Sequence, residues 1–67
     1  MKTNLSGEKL KQKLIEIGND VASIWGGSCY DVEILKDRVY FECIEHGKKF
    51  IAELTFEEIK KDYNLLI

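Results

Sequence analysis

SCYDVEILKDRVYFECIEHGKKFIAEL, residues 28–54, decides the fold. Through it the apolar period is two. Tyr30, Val32 and Ile34 alternate with Cys29, Asp31 and Glu33; Val39, Phe41 and Cys43 alternate with Tyr40, Glu42 and Ile44; Phe50, Ala52 and Leu54 alternate with Lys49, Ile51 and Glu53. Alternation of this kind marks strands with one buried face. The runs predict strands over Ser28–Leu35, Arg38–Glu45 and Lys48–Leu54. Lys36-Asp37 and His46-Gly47 are short enough for hairpin turns. His-Gly suits a type I′ turn; Lys-Asp suits one poorly.

The register can be tested against itself, because a slip of one residue turns the apolar set outward. With Leu35 facing Arg38, Ile34 meets Val39, Val32 meets Phe41, and Tyr30 meets Cys43. With Glu45 facing Lys48, Cys43 meets Phe50, Phe41 meets Ala52, and Val39 meets Leu54. Both hairpins give the same inner face, with Phe41 at its centre. This register leaves Cys29 on the outer face, opposite Ile44.

Outward from the strands the period becomes helical. Leu10, Leu14, Ile17, Val21 and Ile24 form one stripe of a helix over Ser6–Trp25. Ser6 is its expected N-cap, Leu5 and Leu10 its hydrophobic staple, and Gly26 its C-cap. Gly18 is its weak point, since an interior glycine costs about 1 kcal/mol against alanine. After the strands, Phe56, Ile59, Tyr63 and Leu66 repeat the stripe. Thr55 and Glu58 have capping-box spacing at the start of a helix over Thr55–Asn64. The expected fold is a single two-layer α+β domain of order α-β-β-β-α: a three-stranded antiparallel meander with two helices on one face.

This order resembles, in topology, the double-stranded-RNA-binding domain and the small RNA-cleaving HicA-type toxins. The first family carries a lysine-rich start to its second helix; here that start reads Thr55-Phe56-Glu57-Glu58. The second carries a histidine in its first strand; here it reads Ser28-Cys29-Tyr30-Asp31. Neither activity is carried over on these residues.

The chain has 67 residues, 45% hydrophobic and 33% charged, with a net charge of −2. That is globular composition with a small core. It excludes a uniformly basic nucleic-acid binder. No run of eighteen apolar residues suggests a membrane span, and Met1-Lys2-Thr3-Asn4-Leu5-Ser6 lacks the apolar stretch of a secretory leader. Cysteines on opposite faces cannot bridge, so both are expected as free thiols suited to a reducing cytoplasm. His46 is expected as an exposed turn residue. Gly26-Gly27-Ser28 leaves a helix rather than entering one, unlike a phosphate cradle. No cofactor is implied. Asp31, Glu33 and Glu42 are hard-cation ligands by type, but nothing fixes them around a metal.

The outer sheet face is the unusual feature. Its expected rows are Cys29–Ile44–Lys49, Asp31–Glu42–Ile51 and Glu33–Tyr40–Glu53. Like charges face one another across strands, which costs stability. An aromatic among carboxylates with aliphatic neighbours suits docking on a basic protein surface. The sequence therefore predicts a small non-enzymatic binding protein of the bacterial cytoplasm. It would be an inhibitor carried by a phage or mobile element, contacting its partner through Tyr40, Asp31, Glu33, Glu42, Glu53, Ile44 and Ile51. Two alternatives stand beside it. One is a nucleic-acid-binding module using Lys9, Lys11, Lys13, Lys48 and Lys49. The other is a homodimer through the outer face or the strand edges.

Overall fold

A computed structural model describes residues 7–65 of the chain. The element order is the expected one: α1 (Gly7–Ala22), a single 3-10 turn (Ser23–Trp25), β1 (Ser28–Ile34), β2 (Arg38–Glu45), β3 (Lys48–Thr55) and α2 (Phe56–Tyr63). The sheet is antiparallel, in the order β1-β2-β3. Its core is Leu14, Ile17, Ala22, Cys29, Val39, Phe41, Cys43, Ile59 and Leu65. Phe41, on the middle strand, is 0% exposed. The N-cap and staple expected at Ser6 and Leu5, and the end of the second stripe at Leu66, lie outside the described residues.

The β2–β3 register is the expected one throughout, from Glu45 opposite Lys48 to Val39 opposite Leu54. The turn between them takes positive φ at both centres, 49° at His46 and 81° at Gly47. That pair of angles is the type I′ turn, whose twist matches the strands. The Lys36-Asp37 turn is closed by its own flanking pair and held from outside by α2. The Leu35 N–H donates to Arg38 O at 2.8 Å, and Asp37 O accepts the Phe56 N–H at 3.0 Å.

In α2 the capping box is complete. Thr55 Oγ1 accepts the Glu58 N–H at 3.2 Å, and Glu58 Oε1 accepts the Thr55 N–H at 2.9 Å. Asn64 ends the helix in the left-handed region. Tyr63 Oη donates to Asp20 Oδ2 at 2.7 Å and ties α2 to α1. Burial, and then the Asp20 carboxylate, push the Tyr63 hydroxyl up to about 12.

Two expectations are overturned. The first stripe does not run to Ile24. After Ala22 the helix tightens to three residues per turn. The 3.6-residue phase is lost, Ala22 takes the buried place, and Ile24 is 75% exposed.

The second concerns β1. From Ile34 to Asp31 the pairing is as expected, but the register shifts between Asp31 and Cys29. Tyr30 is the extra residue of a β-bulge. Cys29 then faces Cys43 and is buried, while Tyr30 is 45% exposed. The reason lies in α1. A methyl at Gly18 would stand 2.5 Å from Cys29 Sγ and 2.7 Å from Phe41 Cδ1. The helix thus lies nearly on the sheet here. A tyrosine has no room beneath it, and a thiol has.

Candidate functional site

With both helices on the inner face, the outer face of the sheet is open, and its residues keep the expected rows with one exchange. Asp31 faces Glu42, and Glu42 faces Ile51; Glu33 faces Tyr40, and Tyr40 faces Glu53. In the third row Ser28, not Cys29, stands opposite Ile44, which faces Lys49. Ile51 is 58% exposed; Tyr40, Glu42 and Ile44 are half-buried by their neighbours.

The bulge adds Tyr30 to this surface, a residue the alternation assigned to the core. Lys49 Nζ lies 5.8 Å from the centre of its ring, within the range of a cation–π contact. The signal for this was Gly18. A glycine inside an otherwise regular apolar stripe marks a close approach, and a close approach asks for a small residue below it.

The acids are less exposed to one another than pairing alone suggests. Lys11 Nζ lies 3.1 Å from Asp31 Oδ1. The same oxygen accepts the Val32 N–H at 2.9 Å. The hydrogen bond from Lys11, and then that from the Val32 amide, hold the Asp31 carboxyl below its ordinary value. Arg38 Nη1 lies 3.3 Å from Glu53 Oε1, and its Nε lies 3.1 Å from Asp37 Oδ1. Neither Glu33 nor Glu42 has an ion pair among the described residues. Of the four carboxylates about Tyr40, two are matched and two are not. The unrelieved clash expected between Asp31 and Glu42 is therefore relieved by α1.

The lysines of the nucleic-acid alternative are partly engaged. Lys11 holds Asp31, and Lys13 Nζ lies 3.9 Å from Glu16 Oε1. Lys48 faces Glu45 across the turn, and Lys49 covers Tyr30.

The thiols face inward together, so the argument that their faces keep them apart does not hold. Both are free and buried. Cys29 Sγ donates to Asp31 O at 3.2 Å, and Cys43 Sγ to Phe41 O at 3.4 Å. Burial, and then the neighbouring Cys43, push the Cys29 thiol up to about 11; burial raises Cys43 as well. Thiols so held are protonated at neutral pH and poor nucleophiles. Among the described residues no three His, Cys, Asp or Glu side chains gather in a metal-holding group, and no helix is long and apolar enough to cross a membrane.

A concavity lies where β3 leaves the cover of the helices. It encloses about 470 Å³ between Trp25, Phe50, Ala52 and the strand end at Glu45 and Lys48. Trp25 stands edge-on to Phe50, with centroids 6.1 Å apart and planes at 76°. No known family, curated protein or solved structure matches this chain.

Proposed function

We propose that the chain is a small protein-binding module, without catalytic chemistry of its own, that lays its open sheet face on a basic surface of another protein. The observation that carries this is the distribution of charge about Tyr40. Asp31 and Glu53 already have cationic partners, while Glu33 and Glu42 have none among the described residues. They flank an aromatic and two aliphatic side chains, Ile44 and Ile51, on a face that neither α1 nor α2 covers. An arginine or lysine surface would satisfy the two acids, and Tyr40 would supply apolar contact. Protonated, inward-facing thiols support a binding role over a nucleophilic one. Small size and an acidic face support an inhibitor that occupies a partner's basic groove, carried by a phage or mobile element in a bacterial cytoplasm.

The test is paired. The Glu42→Lys chain should melt within a few degrees of the wild type, because Lys11 already balances Asp31 and the exchange is at the surface. A protein retained from bacterial lysate by the wild type should be lost from the variant. Equal retention by both sinks the proposal. Retention of nucleic acid, lost on Lys9→Glu and Lys48→Glu but kept on Glu42→Lys, favours the lysine alternative.

A further inference from the structure

The two edges of the sheet are finished differently. On β1 two outward amides are occupied: Asn19 Oδ1 accepts the Cys29 N–H at 2.7 Å, and Asp31 Oδ1 accepts that of Val32. On β3 the parity of the ladder fixes which residues point outward. Across a two-residue turn the closing pair, Glu45 and Lys48, is hydrogen-bonded, and antiparallel pairs then alternate. Lys49, Ile51 and Glu53 therefore turn their N–H and C=O groups to the free edge. No other main-chain bond takes them among the described residues.

We propose that the β3 edge is a self-complementary interface at which a second copy of this chain pairs antiparallel, with the two-fold axis at Ile51. That register sets Ile51 against Ile51, Lys49 of each copy against Glu53 of the other, and Phe50 of each against Ala52 of the other. The three pairs from outward-pointing residues are hydrogen-bonded pairs. The charge matches occur twice by symmetry. On the inner face the large ring of Phe50 lies over the small Ala52, beside the groove that Trp25 lines.

Other registers lose this fit. An axis one residue away, at Phe50 or Ala52, sets Lys49 or Glu53 against Ile51. An axis two residues away, at Lys49 or Glu53, sets like charges face to face. The second copy would extend the sheet to six strands with all helices on one side and present the acidic face twice. A thin core gains from such pairing.

The experiment is sedimentation equilibrium of the full chain over a range of concentrations. The wild type should pass from the mass of one chain to that of two. Lys49→Glu alone, or Glu53→Lys alone, sets like charges together at both ends of the ladder, and should weaken association about tenfold or more. The double exchange, Lys49→Glu with Glu53→Lys, restores opposite charges in the same register and should restore the dimer. Wild-type protein that stays at the mass of one chain up to about millimolar concentration overturns the proposal. So do single exchanges that associate as the wild type does, and a correctly folded double variant that stays monomeric. Isotope-filtered contacts between labelled and unlabelled copies should join Ile51 to Ile51; contacts joining Tyr40 to Tyr40 instead would assign the dimer to the outer face and overturn it too.

Discussion

The β1 side of this domain is closed and the β3 side is open. Over β1 the helix α1 lies almost in contact with the sheet, two side-chain oxygens take the outward amides of Cys29 and Val32, and a bulge interrupts the ladder. Each is a known way of blunting an edge strand. Over β3 the inner-face residues Phe50 and Ala52 are only half-buried, Ile51 is mostly exposed, and among the described residues no side chain bonds the main chain of Lys49, Ile51 or Glu53. The described helices pack more closely on β1 and the centre of the sheet than on β3. The free edge therefore falls where the sequence is complementary to itself.

The difference can be broken at several depths. The largest loss is expected at Phe41, on the strand both sides share. Phe41→Ala should cost about 3–5 kcal/mol in a denaturant titration, most of the stability of a domain this size. A cost below about 1 kcal/mol would mean the centre of the sheet is not its anchor. Next is Gly18. Alanine there gains helix propensity, but its methyl meets Cys29 and Phe41; the net loss should be about 1–2 kcal/mol. A stabilised Gly18→Ala would show that α1 stands further from β1 than described. Smaller again, Asn19→Ala removes the acceptor from the Cys29 amide and should cost about 1 kcal/mol. Its effect on hydrogen exchange should be confined to β1.

Two further outcomes sharpen the contrast. A thiol whose folded pKa is raised stabilises the fold fully below its unfolded value, near 9, and that stability is lost as pH rises through about 11. The urea midpoint should therefore fall between those values, and Cys29→Ala should flatten the fall. Last, Ile51→Thr on the open edge should move the stability of the dilute, monomeric protein by no more than about 0.5 kcal/mol. A loss of 2 kcal/mol would make β3 as closed as β1.

The sequence made the open side more legible than the closed one. Along β2, β3 and α2 each residue answers one rule. Alternation sets the face, His46-Gly47 sets the turn, and Thr55 with Glu58 sets the cap, so register and boundaries follow. Along β1 two rules compete. Counting back from Ile34 and Val32 puts Tyr30 inside, and the closeness of α1 puts it out. Alternation is a property of one strand, while the space over Cys29 depends on a residue eleven positions earlier in a different element. The outer face was legible as a set of rows. The partners of its acids were not, because Lys11 reaches Asp31 around the sheet edge from α1.

Gly18 also does something the apolar stripe cannot. A stripe of leucines and isoleucines repeats each turn, so by itself it would let the helix slide along the sheet by about 5.4 Å and bury an equivalent set. Gly18 is the only glycine within the body of α1, and only one axial placement brings it over Cys29 and Phe41. A slide of one turn would drive Leu14 or Ala22 into that space instead. The missing side chain thus acts as a detent: it removes the translational degeneracy of the helix and gives the domain one native alignment rather than several of nearly equal energy.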